Sequence, residues 1–248
     1  MALRIHKYGG TSVDGLERLR AVAGRIAADV DSGHQVLVVV SAAGQTTDQL
    51  ESMARGLSPR PPRREMDMLL TAGERITMAL LAIALHERSI PAISFTGSQS
   101  GIITDSRHQD ARIRRIRPFR ILQELQRDRV VIVAGFQGVS EEKEVTTLGR
   151  GGSDTTAVAL AIVFGAPWCG IYSDVPGILS ADPRLVPGAG PIPCLSHDAA
   201  AILTHLGAAV LSHRAALLAR KTGVALRLGH AADPGRGTWV LPAGRSEP

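Results

Sequence analysis

Two stretches of this chain, Gln35–Val40 and Val130–Ala134, are apolar at nearly every position, rich in β-branched residues and only five or six residues long. A strand of that kind has no face to give to water, so helices must cover it on both sides, as in a parallel sheet. The neighbouring segments supply such helices. Gly15–Ala28 carries Leu16, Leu19, Val22 and Ile26 at helical spacing, and Asp67–His86 reads as a long amphipathic to apolar helix. Leu3–Tyr8, Ile90–Phe95, Trp168–Ser173 and Leu226–Leu228 read as further strands, and Thr155–Gly165, Ser196–Leu206 and Ser212–Thr222 as further helices. Strand and helix alternate throughout, so the expected fold is α/β, with three α/β/α layers and a mainly parallel central sheet. With 248 residues, 44% of them hydrophobic, the chain can bury one large core. No internal repeat recurs at a fixed period. Arg55–Arg64, with Pro59, Pro61 and Pro62, is expected to be an exposed loop, Pro187–Pro193 a tight one, and the tail after Leu241 to fray.

Charge and cysteine usage exclude several functions. The start, Met1–Lys7, has no apolar stretch followed by a cleavage site, and no later run is both uncharged and long enough to cross a bilayer, so the expected location is the cytoplasm. Cys169 and Cys194 have no Cys/His ligand spacing around them and cannot build a disulfide framework, so neither zinc nor any other protein-held metal is expected. The formal net charge is +5, with 25 arginines but only three lysines, Lys7, Lys143 and Lys221. The densest run, Arg107–Arg120, alternates its six arginines with Ile113, Ile116, Pro118 and Phe119 and has no aromatic platform. It reads as a solvated face rather than a nucleic-acid surface.

Two glycine clusters carry the chemistry. Lys7-Tyr8-Gly9-Gly10-Thr11-Ser12 places a lysine at a strand end, then two residues without side chains, then hydroxyls opening a helix. That is the outline of a phosphate cradle, although it lacks P-loop spacing and a plain turn would read the same way. Thr146–Thr156 gathers Gly149, Gly151, Gly152, Arg150, Asp154 and several hydroxyls directly before a helix. A guanidinium beside a helix N-terminus suits bidentate recognition of a carboxylate or phosphate.

The successive segments Lys7–Val13, Val40–Asp48, Ala72–Arg75, Ser94–Gln99, Gly135–Gly138, Thr147–Thr156, Tyr172–Ile178 and Asp182–Arg184 resemble, in order and at family spacing, the signatures of aspartokinase catalytic domains of the amino-acid kinase family. The likeness spans nearly the whole chain. It implies an acceptor-binding lobe at about residues 1–165 and a nucleotide-binding lobe at about 166–248. It also implies transfer of the γ-phosphoryl group of ATP to the β-carboxylate of L-aspartate. A carboxylate is already a nucleophile at neutral pH, so such an enzyme needs to align two anions and neutralise charge rather than remove a proton.

Residue by residue, the resemblance assigns Lys7, Gly10 and Asp154 to catalysis. Ser41, Thr47, Glu74, Phe136, Gly138, Arg150 and Ser153 would bind the acceptor, with Arg150 on its α-carboxylate and Glu74 on its α-ammonium. Lys7, Gly9, Gly10, Thr11, Ser173, Asp174 and Arg184 would hold the nucleotide. Glu74 pairing with Arg75 or capping a helix, and Ser41 and Ser153 acting as helix caps, stay open as plainer readings. Magnesium would arrive bound mainly through ATP. The departures fall on the nucleotide side: Ala209 stands where the family commonly has a lysine, Leu179 where many relatives have a tyrosine, and Ser212-His213 where a His-Pro pair is usual. They leave in view a related acceptor carboxylate or a non-catalytic subunit of the same shape. The resemblance further implies a homodimer without regulatory ACT domains, with a separate regulatory partner left open.

Overall fold

The computed structural model describes residues 2–233 and 235–244. From the N-terminus the chain forms β1 (Leu3–Tyr8), a one-turn 3-10 helix (Gly10–Val13), α1 (Leu16–Asp31), β2 (Gln35–Val40), α2 (Thr46–Leu57), α3 (Arg63–His86) and β3 (Ala92–Phe95). It continues through β4 (Ile102–Thr104), β5 (Ile113–Ile116), α4 (Phe119–Leu125), β6 (Val130–Ala134), β7 (Gln137–Ser140), β8 (Val145–Thr147) and α5 (Gly152–Phe164). The last part holds β9 (Trp168–Ser173), β10 (Cys194–Ser196), α6 (His197–His205), α7 (His213–Thr222), β11 (Ala225–His230) and β12 (Gly237–Leu241).

Eight strands form one sheet in the order β10-β12-β11-β9-β1-β2-β6-β3, parallel except between β11 and β12. The fully apolar β2 and β6 lie inside it, as expected of strands covered on both faces. β1 is the pivot. The chain moves from β1 to β2 on one side and returns much later as β9 on the other, which opens a crevice beyond the C-terminal strand ends. Ile5, Leu37, Val39, Val131, Val133 and Cys169 pack under α4, α5 and α7, and Tyr8, Val36, Val38, Val40 and Ile132 under α1 and α3. Successive residues of β1 therefore face opposite layers. Lys7 shares the α5 side with Ile5, whereas His6 and Tyr8 meet α1.

The expected elements shift only at their ends. α3 starts at Arg63, not Asp67, and α2, a helix that was not expected, runs to Leu57, so the expected loop Arg55–Arg64 shrinks to Ser58–Pro62. α5 begins at Gly152, three residues before the expected Thr155. Ser196 and Ser212 are N-caps, each side chain accepting from the backbone N–H three residues on. A second sheet, β5-β4-β7-β8, was not foreseen. α3 is long and apolar enough to cross a membrane by composition. Here it is a core helix, burying Met66, Leu70, Met78, Leu81 and Leu85 together with Asp67 and Glu74. Cys169 is buried and Cys194 exposed, both as free thiols. Residues 245–248 of the tail expected to fray lie outside the described residues.

Candidate active site

The C-terminal end of β1 delivers Lys7 to the first turn of α5. Its Nζ lies 2.8 Å from Oδ1 of Asp154, and both side chains are nearly buried. Oδ2 of Asp154 accepts from the Ser212 backbone N–H at 2.9 Å, which ties α5 to the start of α7. Asp154 thus places a carboxylate in the first turn of α5, a position the helix dipole favours. Gly151 makes this approach feasible. Its φ is +70°, and a Cβ there would lie 2.2 Å from the Ser212 Cβ. The turn after β1 differs from a cradle at a regular helix: Gly10–Val13 is a single 3-10 turn, and α1 starts only at Leu16. A Cβ on Gly10 would lie 2.6 Å from the Ala42 carbonyl, so this glycine lets the loop after β2 close against the loop after β1.

The Lys7–Asp154 pair sits in a cleft of about 850 Å³, into which Gly10, Ser41, Thr47, Glu74, Phe136, Arg150 and Ser153 also converge. Glu74 reaches it from the middle of α3. One of its carboxylate oxygens accepts from the Ala42 N–H at 3.2 Å, and the other is buried without a partner. Burial pushes the Glu74 carboxyl up to about 7, against the opposing pull of the Ala42 N–H. It neither pairs with Arg75 nor caps a helix. Ser41 and Ser153 are not caps either: α2 is capped at Gln45 and α5 at Gly151. Phe136 adopts a left-handed backbone, φ +67°, between β6 and β7. It is held there by an N–H donated to Thr156 Oγ1 and by the Leu148 N–H donated to its carbonyl. Arg150 is exposed and forms no ion pair among the described residues.

Other sequence-predicted residues fall elsewhere. Thr11, Ser173 and Asp174 line a separate cavity of about 140 Å³ together with Arg18 and His230. Gly9 donates its N–H to the Tyr172 carbonyl, pinning β1 to β9. Gly138 is buried in β7, where a Cβ would lie 2.6 Å from Thr104 Cγ2, and it does not line the cleft. Arg184 is almost fully exposed and folded onto Asp182, whose carboxyl its guanidinium holds down at about 2. Sequence reasoning missed the cleft-lining Asp48, Glu51, Arg60, Arg63, Gln109 and Thr147. Most of these stand on α2 or in short connections whose hydrophobic periodicity is too weak to announce them.

The amino acid kinase family profile matches residues 2–230. The chain belongs to the amino acid kinase family. It is 50% identical over 238 residues to the aspartokinase of Corynebacterium efficiens, covering 95% of this chain and 56% of that protein. The chain spans between 56 and 59% of the curated relatives it matches. Aspartate kinase from Synechocystis superposes with a TM-score of 0.87 at 45% identity, over 100% of this chain and 41% of that one. E. coli aspartokinase III, in complex with aspartate and ADP, gives a TM-score of 0.90 at 26% identity, over 100% and 66%. Every residue of the cleft from Lys7 to Asp154 falls within the segment that the family profile matches.

Proposed function

We propose that this chain catalyses ATP-dependent phosphorylation of the β-carboxylate of L-aspartate, yielding aspartyl β-phosphate. One observation carries the reading: a single cleft holds an ion-paired lysine, a buried glutamate with an open oxygen, and an exposed arginine without an ionic partner. Arg150 would take the acceptor's α-carboxylate in a bidentate grip and Glu74 its α-ammonium, which leaves the β-carboxylate directed at Lys7. Lys7, held in place by Asp154, would offset the charge spreading over the transferred group. The likeness to a kinase solved with aspartate and ADP supports the same pair of substrates.

Magnesium fits this arrangement as a companion of the nucleotide. Among the described residues no three His, Cys, Asp or Glu side chains converge on one point, and Asp154 is engaged by Lys7 and Ser212. Bound through ATP, the ion would supply neutralisation of the phosphate oxygens. The proposal includes an acceptor lobe over about 1–165 and a nucleotide lobe over about 166–248. Gly9, Thr11, Ser173, Asp174 and Arg184 would serve the nucleotide, and Gly138 would support the acceptor pocket from β7. It places the enzyme in the cytoplasm as a homodimer, with no nucleic-acid or membrane partner.

A second reading has its own observation. Ala209 lines the cleft where a cation would meet the nucleotide, and Arg184 is folded away onto Asp182. Both features suit a subunit that binds the amino acid without turning it over. Hydroxylamine trapping with Mg-ATP and L-aspartate decides between the two. Aspartyl hydroxamate formed by the wild type and lost in Lys7→Ala is the expected result. No product with aspartate or any other amino acid, together with no ATP binding by titration, would establish the second reading.

A further inference from the structure

Asp67 lies two turns before Glu74 on the same face of α3 and has no solvent exposure. A buried carboxylate needs donors, and Asp67 has three. Its Oδ2 pairs with His108 Nδ1 at 2.7 Å, its Oδ1 accepts from the Thr147 hydroxyl at 2.6 Å, and the Gln109 N–H reaches both oxygens at 3.1 and 3.2 Å. These donors come from two separate segments, the turn before β5 and the end of β8, and neither is adjacent to α3 in sequence. Gln109 is held at φ +67°, a conformation a non-glycine residue keeps only when its surroundings impose it.

The two segments are also laced to each other. The Ala111 N–H donates to the Thr147 carbonyl at 2.9 Å, and Arg214 donates to the Leu148 carbonyl while pairing with Asp110. Gln109 and Thr147 both line the cleft, and Thr147 is followed, after two residues, by the exposed arginine. Asp67 therefore fixes the base from which Arg150 projects, and the same helix carries Glu74 seven residues later. The distance between the two groups that would read an α-amino acid is set through one helix and one buried carboxylate.

We propose that Asp67 is a positioning residue for acceptor binding, acting through Thr147 and Gln109 on the Gly149–Gly151 turn. This rests on the proposed acceptor site. Its consequence is selective: weakening the Asp67 contacts displaces Arg150 relative to Glu74 but leaves Lys7–Asp154, which β1, α5 and the Ser212 N–H hold, in place. A general stabilising role would show no such selectivity.

The experiment uses the full chain and three variants. Asp67→Asn turns one acceptor oxygen into a donor facing other donors, Thr147→Val removes only the hydroxyl, and Thr147→Ser restores it. KM for L-aspartate is expected to rise about tenfold or more in Asp67→Asn and Thr147→Val, the scale of a lost hydrogen bond to a charged group. KM for Mg-ATP should stay within twofold, and Thr147→Ser should resemble the wild type. Hydrogen exchange, followed in parallel, should quicken only in residues 107–111 and 146–151. An aspartate KM within twofold of wild type in folded Thr147→Val, or equal rises in both KM values, overturns the proposal. If the wild type transfers nothing to aspartate, the acceptor reading has failed, and exchange alone decides the positioning: quickening confined to the two segments sustains it, and unchanged or sheet-wide exchange overturns it.

Discussion

A carboxylate as buried as Glu74, with a single backbone donor, is half ionised near neutral pH, and this makes the proposed acceptor recognition titratable. Glu74 must be charged to hold an ammonium. Since its carboxyl titrates at about 7, KM for L-aspartate should rise about tenfold per pH unit as the pH falls below 7, while KM for ATP stays level. Steady-state kinetics between pH 8 and 5.5 check this, and a level aspartate KM over that range would remove Glu74 from the acceptor site. Glu74→Gln keeps the shape and removes the charge, so aspartate binding should weaken about 30-fold or more, the scale of breaking one partner out of a buried charge pair. Asp154 is fixed differently. One of its oxygens lies against the Lys7 ammonium and the other accepts from the Ser212 N–H.

At the scale of elements, the site depends on how closely α5 can approach α7. Gly151→Ala forces a Cβ into a left-handed position and against Ser212, so it should destabilise the fold by about 2 kcal/mol or more and disturb the Ser212–Asp154 contact. Denaturant unfolding measures this, and a loss below about 0.5 kcal/mol would mean the α5–α7 contact yields. What the sequence revealed follows the same geometry. β1 and β9 could be bounded to the residue and β2 and β6 recognised as buried, because their patterns leave no wet face. The second sheet was invisible: β4 and β8 have three residues each, and β5 reads Ile-Arg-Arg-Ile, with arginines where alternation would put one apolar residue. α2 buries only Ala54 and so lacks an apolar stripe. Glu74 and Arg150 as acceptor groups and Asp154 as a catalytic one came from segments that resemble the family, and all three line one cleft. Asp67 was not legible, since an aspartate near a helix start is ordinary until its three donors are seen.

Across the whole molecule, the layer that α1 and α3 form on the central sheet buries two titratable groups that act on stability in opposite directions. On the α1 side His6 is buried against Asp29, with Tyr172 beside it and Arg25 over the Tyr172 ring at 3.6 Å. Burial pushes the His6 pKa down, only partly countered by Asp29. The unfolded chain therefore takes up a proton below about pH 6.5 that the folded chain refuses, and stability falls on acidification. Glu74 works the other way. Its folded value near 7 exceeds its unfolded 4.5, so its burial penalty is full above pH 7 and gone below about 4.5. That penalty corresponds to about 3 kcal/mol, of which Glu74→Gln should recover about 2, because the new amide leaves an N–H unpartnered. The wild-type stability between pH 8 and 5.5 thus carries opposed contributions, of which Glu74→Gln removes only that of Glu74. Glu74→Gln should be the more stable protein at pH 8 and lose that advantage progressively towards pH 5. A gap of the same size at both ends would show that the charge on Glu74 is not what the fold resists. A gap that closes would show that the site proposed for the acceptor's ammonium is bought with stability the free protein gives up.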